Sequence, residues 1–286
     1  LSSALGPVTL LLVSAALLEI AARVSRYLSD NEQSLAMAAI DDEATGQDKD
    51  MRNIERPDAA TLTQQVSDKQ KEIIGGGVWE GLTHVMRSPY LLGIALLMLM
   101  FTIVSTYLYF AQIAIVNEAF GDDRVARTQL FANRDVIVNS ITLVVQMFLT
   151  GRILRWLGIG VSLALLPLVS FVGFGMLAVA PVLLVVIAFD VIRRAGNFAI
   201  QRPARESLYT VVSRTDKYKA KNFNDTFVYR VGDQVGAWSY TAMAWFGMGL
   251  TGLALTMLPV SLLWFFLALW LGRKYKDTYQ EQTESR

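Results

Sequence analysis

The sequence predicts an all-α, polytopic membrane protein, and three observations support this. Hydrophobic residues make up 53% of the 286 residues and charged residues only 18%, with a mean hydropathy of +0.38. In a soluble domain about a quarter of all residues are charged. The charges also crowd into a few segments and leave long apolar runs between them. An apolar run of about 20 residues is what a helix needs to cross a membrane.

Seven apolar runs predict seven membrane-crossing helices. They cover residues 8–22, 91–116, 136–154, 157–180, 182–200, 223–246 and 253–271. The chain begins at Leu1, close to an apolar run and without a basic leader, so we expect no signal peptide and further residues upstream. We predict a transmembrane helix in residues 1–24, a linker in 25–74, a six-helix transmembrane bundle in 75–272 and a cytoplasmic tail in 273–286.

Lysine and arginine residues lie mostly on one side of the predicted crossings. When residues 23–87 are placed in the cytoplasm, the outer loops keep only Arg124, Arg127 and Arg134. Cytoplasmic loops of membrane proteins carry such an excess of basic residues. The bias predicts a cytoplasmic C-terminus, and we expect a multi-pass protein of the cell (inner) membrane.

The segment 25–74 is polar, acid-rich and nearly free of aromatic residues, which predicts a mobile cytoplasmic linker. The alternative is a calcium loop, because Asp41, Glu43, Thr45 and Gly46 fall near the required offsets. Its twelfth position is Arg52, however, where a bidentate glutamate is needed. With no cysteine and a single histidine, the chain has no thiolate or histidine-cluster metal site. We expect no metal and no cofactor.

Ionisable residues inside the predicted crossings are the main candidates for a functional site. Asp190 lies near the middle of the run 182–200, and Arg193 and Arg194 follow within one turn; Arg230 and Asp233 share one face of the next run. Such groups cost about 2.5 to 3.5 kcal/mol each on insertion, so they face a partner or a watery cavity. In the structural alternative, Asp190 pairs with an arginine and Arg230 with Asp233. In the functional alternative, all five line a path near mid-depth.

Polar and small residues in the same runs supply further candidates. Gln112, Asn139 and Gln146 either face a cavity or form hydrogen bonds between helices. Gly232 and Gly236 form a small-xxx-small pair, which predicts close packing of two helices. No catalytic triad, metal cage or nucleotide-hydrolysing loop is present in the sequence, so we do not expect an enzyme.

Several motifs resemble those of a known transporter family. Residues 151–158, GRILRWLG, follow the third predicted crossing and resemble the short inner loop found in each half of major facilitators. The remaining motifs are similar to the facilitator branch related to the ATP/ADP translocases, whose bacterial members are nucleotide-transporter-like. They are RPARESLYTVVSR at 202–214, KYKAKNF at 217–223, Asp225, YRVGD at 229–233 and RSPYLL at 87–92.

The resemblance implies the C-terminal half of a twelve-helix major-facilitator bundle, with residues 1–24 as its sixth helix. It also implies secondary transport by alternating access and exchange of nucleotides. The other wall of the site would then come from a missing N-terminal half. An arginine fork suits an anionic or phosphate group. The expected partners are therefore a small anionic substrate, the lipid bilayer and that N-terminal half, and not a nucleic acid polymer.

Three functions stay open at this point. The first is transport of an organic anion, with a nucleotide or another phosphorylated metabolite favoured. The second is proton-coupled transport of an unrelated solute, with Asp190 or Asp233 as the titrating group. The third is a membrane scaffold or sensor that keeps the fold without transport. Uptake into vesicles separates transport from a scaffold, and proton coupling of that uptake separates the first two.

Overall fold

The protein was analysed as a computed structural model, which describes residues 88–284 and, before them, Glu19, Arg23, Val24, Val85 and Met86. The chain divides into two compact units, Leu1–Glu72 and Ile73–Arg286. In the first unit, Arg23 Nε lies 3.0 Å from a carboxylate oxygen of Glu19. The predicted first crossing, apart from Glu19, and the predicted linker with its calcium alternative lie outside the described residues.

Eight α-helices make up almost all of the described part of the second unit. They are α1 (Pro89–Phe120), α2 (Arg124–Phe148), α3 (Thr150–Val179), α4 (Leu183–Gly196), α5 (Arg202–Leu208), α6 (Arg214–Phe223), α7 (Tyr229–Trp245) and α8 (Leu250–Glu284). A π turn at Asn197–Gln201 joins α4 to α5, and a second at Asn224–Val228 joins α6 to α7. Residues 88–284 contain no strand. The all-α prediction is confirmed for this part of the chain.

Local sequence signals explain where the helices begin and turn. Ser88 caps α1 by accepting a hydrogen bond from the Leu91 amide at 3.4 Å, and Pro89 stands at the first helical position, where its missing N–H costs nothing. Asp123 caps α2 by accepting from the Ala126 amide at 3.0 Å. Between them Gly121 has a φ of 52°, a conformation that glycine adopts without a steric penalty.

Three helices within residues 88–284 are long and apolar enough to cross a membrane: Pro89–Phe120, Thr150–Val179 and Leu250–Gln282. Helices of this length and composition belong to a membrane-embedded α-helical protein. They correspond to the predicted runs 91–116, 157–180 and 253–271. The crossings predicted at 136–154, 182–200 and 223–246 coincide with helical segments that carry more charge, and they stay predictions.

The predicted boundaries around α2 are wrong in two respects. The helix begins at Arg124 and ends at Phe148, whereas the prediction placed it at 136–154. Arg134, predicted in an outer loop, therefore lies within α2, and its side chain is only 12% exposed. A prediction from apolar runs ends the crossing at the first charged residue, but a charged residue that forms an ion pair does not end a helix. The motif at 151–158 was predicted as a loop and is the first part of α3, which departs from helical geometry at Gly158 (φ 73°).

Close backbone contact joins α3 to α8. A Cβ added to Gly160 would lie 2.9 Å from the Cα of Gly272, so neither position has room for a side chain. Trp264 of α8, fully buried, meets Phe101 of α1 edge-to-face with ring centroids 6.0 Å apart. These contacts hold α1, α3 and α8 together without buried charge.

The predicted packing role of Gly232 and Gly236 is confirmed. Both are buried in α7 and contact Thr102 and Thr106 of α1; a Cβ on Gly236 would lie 2.9 Å from Cβ of Thr106. The small residues let the two backbones approach closely.

The C-terminal segment 273–284 continues a helix, and its predicted place in the cytoplasm stays a prediction. The helix α8 continues past residue 271 to Glu284. The side-chain amide of Gln282 donates to the Val211 carbonyl at 2.9 Å, and the hydroxyls of Tyr275 and Thr210 lie 3.4 Å apart. The end of α8 is therefore attached to the 3₁₀ turn Tyr209–Val211 that follows α5.

Candidate functional site

A buried ion pair between two helices forms the centre of the site. Asp190 of α4 lies 3.3 Å from Nη1 of Arg134 of α2, and the two side chains are 9% and 12% exposed. The same Nη1 donates a hydrogen bond to Oε1 of Gln112 of α1 at 3.1 Å. Gln112, Arg134 and Asp190 belong to α1, α2 and α4 in turn, so these contacts fix how the three helices pack.

The ion pair belongs to a longer network that reaches the surface of the cavity. Asp135 accepts from Arg134 at 2.9 Å and from Arg194 of α4, also at 2.9 Å. Arg194 and Asp135 are 36% and 48% exposed, so water screens this end of the network. The network thus extends from the buried Asp190 to the half-exposed Asp135.

Arg193 is buried against α1 and pairs with no carboxylate at ion-pair distance within the described residues. Its Nη2 donates to Oγ of Ser105 at 2.6 Å and to the carbonyl of Phe101 at 3.3 Å. Its guanidinium carbon lies 5.1 Å from the centre of the Phe101 ring, a cation–π distance. The whole residue is only 4% exposed.

These groups surround a space of about 550 Å³, which we name the central cavity. Its lining comes from α1, α2, α4, the first π turn and α7: Phe101, Ser105, Tyr109, Gln112, Ile113, Phe131, Arg134, Asp190, Arg193, Arg194, Asn197, Phe198 and Tyr229. Among the described residues, four buried side-chain atoms of this lining have no hydrogen-bond partner: Nε2 of Gln112, Nε of Arg193, Oδ1 of Asn197 and Oδ2 of Asp190, which has only its 3.3 Å ion pair with Arg134. A buried donor or acceptor left unpaired is costly, and a ligand in the cavity can remove that cost.

A second space of about 690 Å³ adjoins the first, since Phe198 and Tyr229 line both. We name it the basic vestibule. Its lining residues are Met98, Gln146, Phe198, Arg202, Pro203, Arg205, Glu206, Lys221, Asp225, Tyr229 and Arg230. Lys221 of α6 lies 2.7 Å from Glu206 of α5. Both helices that flank the vestibule follow or precede a π turn, a feature that often marks functional sites.

A buried tyrosine joins the turn after α5 to the second π turn. The hydroxyl of Tyr209 accepts a hydrogen bond from the side-chain amide of Asn224 at 2.9 Å. Burial raises the pKa of Tyr209 to about 12, so the phenol keeps its proton even in alkaline solution. The hydroxyl of Tyr90 donates to the Leu208 carbonyl at 2.8 Å. The junction after α5 is thereby attached to both α1 and the second π turn.

The structure distributes the eight predicted site residues over four places. Asp190, Arg193, Arg194 and Gln112 come together at the central cavity. Arg230 and Gln146 line the basic vestibule, where Nε2 of Gln146 donates to the Phe198 carbonyl at 3.0 Å.

The other two predicted residues lie elsewhere. Asp233 is half-buried between α7 and α1, with a carboxylate oxygen 3.5 Å from the Thr106 hydroxyl. Asn139 is exposed on α2. Arg230 and Asp233 form no ion pair within the described part of the chain, so the simple pairing predicted for them is not present.

Two residues of the charge network were missing from the sequence prediction. Arg134 and Asp135 connect Asp190 to Arg194, yet the predicted crossing began just after them. The sequence around them gave no clear signal, because polar residues such as Gln129 and Asn133 precede them among the apolar ones.

Comparison with known proteins gives no match: no protein-family model, no curated protein sequence and no solved structure is similar to the chain.

Proposed function

We propose that the chain is the C-terminal half of a major-facilitator-type secondary transporter that carries an organic anion by alternating access. A nucleotide or another phosphorylated metabolite is the favoured substrate. In this proposal the protein lies in the cell (inner) membrane with a cytoplasmic C-terminus. One observation carries the proposal: around the central cavity, within the described residues, three arginines face only Asp190 and the adjacent Asp135.

The cavity fits a small anion in size and chemistry. Its volume of about 550 Å³ lies within the range of roughly 300 to 1,000 Å³ that is typical of small-molecule sites. The free Nε of Arg193 and the free Nε2 of Gln112 are buried donors that an anionic oxygen satisfies. Phe101, Phe131 and Tyr109 supply ring surface beside them. In facilitators the site lies between two halves near mid-depth, so the N-terminal half supplies the opposite wall in this proposal.

The test is uptake of labelled anions, nucleotides first, into vesicles that carry equal amounts of the full-length protein or a variant. Arg193→Lys keeps the charge but removes the planar fork, so we expect uptake to fall about ten-fold or more. Arg152→Lys is the matched control, because Arg152 is exposed at the start of α3. Melting temperatures in detergent show whether each variant folds. Undiminished uptake by a folded Arg193→Lys protein would contradict the proposal.

Proton-coupled transport is the second candidate, and the buried Asp190–Arg134 pair favours it. A carboxylate that exchanges an arginine for a proton could couple protons to the movement of a solute. Asp190→Asn would then abolish uptake driven by a pH gradient but leave exchange of labelled for unlabelled solute intact. Loss of both activities together assigns Asp190 to solute binding instead.

A further inference from the structure

The least explained charge in the molecule is Arg205 of α5. The residue is 9% exposed, lines the basic vestibule, and has no hydrogen bond or ion pair of its guanidinium to any residue that the structure describes. Its guanidinium nitrogens are not among the buried atoms that lack a hydrogen-bond partner, so the charge keeps access to the space of the vestibule, where a ligand can reach it. The sequence prediction did not include Arg205 among its site residues.

The surroundings of Arg205 add positive charge instead of neutralising it. Among the described residues, the vestibule has four cations, Arg202, Arg205, Lys221 and Arg230, and two carboxylates, Glu206 and Asp225. The excess is therefore two positive charges. Glu206 is already paired with Lys221 at 2.7 Å. No carboxylate lies at ion-pair distance from Arg205 in residues 88–284.

We propose that the basic vestibule is a phosphate-binding site, separate from the central cavity, with Arg205 as its buried anchor. A phosphate group carries up to two negative charges, which matches the excess, and its several oxygens can accept from more than one arginine at once. Glu206 occupies Lys221 in the empty site, and the arriving phosphate competes with it. The site does not depend on transport through the central cavity.

Two sources could present this phosphate: a soluble phosphorylated molecule or the headgroup of an anionic phospholipid. The chemistry of recognition is the same for both. Inorganic phosphate is therefore the first probe, and lipid composition distinguishes the sources.

The first experiment measures binding of inorganic phosphate to the purified full-length protein in detergent, by thermal shift at constant ionic strength. Phosphate should raise the melting temperature of the wild type and of Arg152→Gln, whose charge lies outside the vestibule. In Arg205→Gln the apparent Kd should rise about ten-fold or more. The unliganded variant should melt close to the wild type, because the guanidinium of Arg205 has no hydrogen bond or ion pair to a described residue that the substitution would break. Equal phosphate affinity in the wild type and Arg205→Gln would overturn the proposal.

Two further variants keep the proposal testable if Arg205→Gln does not fold. Arg230→Gln alters an exposed lining residue and should weaken phosphate binding by a smaller factor. Glu206→Gln releases Lys221 and should tighten it several-fold. If neither variant changes the apparent Kd, the vestibule is not the phosphate site.

The second experiment places the protein in nanodiscs of phosphatidylcholine, with or without phosphatidylglycerol. If phosphatidylglycerol competes with inorganic phosphate in the wild type but not in Arg205→Gln, the ligand is a lipid headgroup. If it does not compete, the ligand is a soluble phosphate compound. Both outcomes support the site, whereas absence of phosphate binding in both membranes overturns it. Because neither assay measures transport, the site and the proposed transport can fail independently.

Discussion

Two sides of the helical bundle are built by different physical means. Where α3 meets α8, Gly160 and Gly272 bring the backbones into contact, and apolar side chains fill the remaining space. Where α4 meets α1 and α2, the contacts are an ion pair, a network of arginines and a cavity of about 550 Å³. The first side leaves no room for change, while the second keeps polar groups and space that a ligand can use. The difference indicates which helices serve as a frame and which form the site.

The largest expected effect is on the frame. Gly272→Leu places a side chain against the backbone of Gly160, which has no freedom to move aside. We expect the free energy of unfolding in detergent to fall by about 3 kcal/mol or more. The matched control is Gly151→Ala in the same pair of helices, since a Cβ there meets nothing within 4 Å. Equal stability of the two variants would show that α3 and α8 are not a rigid frame.

A smaller loss is expected at the buried end of the charge network. Asp190→Asn leaves Arg134 with the half-exposed Asp135 as its remaining carboxylate. We expect a loss of about 2 kcal/mol in the free energy of unfolding, below the 3–5 kcal/mol of a fully isolated buried charge. The double variant Asp190→Asn, Arg134→Gln removes both charges and should recover part of that loss. A double variant whose loss of unfolding free energy exceeds the sum of the losses of the two single variants would contradict the pairing.

The smallest effect is expected at the exposed end of the same network. Asp135→Asn removes a carboxylate that is 48% exposed; its partner Arg194 is 36% exposed, and its other partner, Arg134, keeps Asp190. Water and salt screen such pairs, so we expect a change of less than about 1 kcal/mol. Raising the salt concentration should shrink this effect but leave that of Asp190→Asn nearly unchanged. The same salt dependence for both variants would remove the distinction between the two ends.

Apolar helices were predictable from the sequence, and so were Asp190, Arg193 and Arg194 as candidates for one site, whereas the burial of Arg134 and Arg205 was not. The runs in α1, α3 and α8 carry their own signal, because a membrane-spanning helix needs a long uncharged stretch. The burial of Arg134 instead depends on Asp190, which belongs to another helix. No property of α2 alone shows that this charge has a partner.

Helical phase explains why two predicted site residues lie elsewhere. Asn139 comes five residues after Arg134, which places it about 140° around α2 from the arginine that faces the cavity. The predicted crossing began after Arg134, so no residue within it showed which face of α2 is directed to the cavity. Asp233 is about 60° from Arg230 around α7, and that offset is enough to place it against Thr106 of α1.

The π turn at Asn197–Gln201 determines how α5 is rotated about the helix axis relative to α4. A π turn accommodates one residue more than an α turn, and each α-helical residue rotates the chain by about 100°. Deleting one residue within 197–201 so that the turn becomes α-helical would therefore rotate Arg202 and Arg205 by roughly 100° relative to Asp190. The charges upstream would stay where they are. A one-residue change in the length of this turn would thus change the orientation of α5 relative to α4 without altering a single charged side chain.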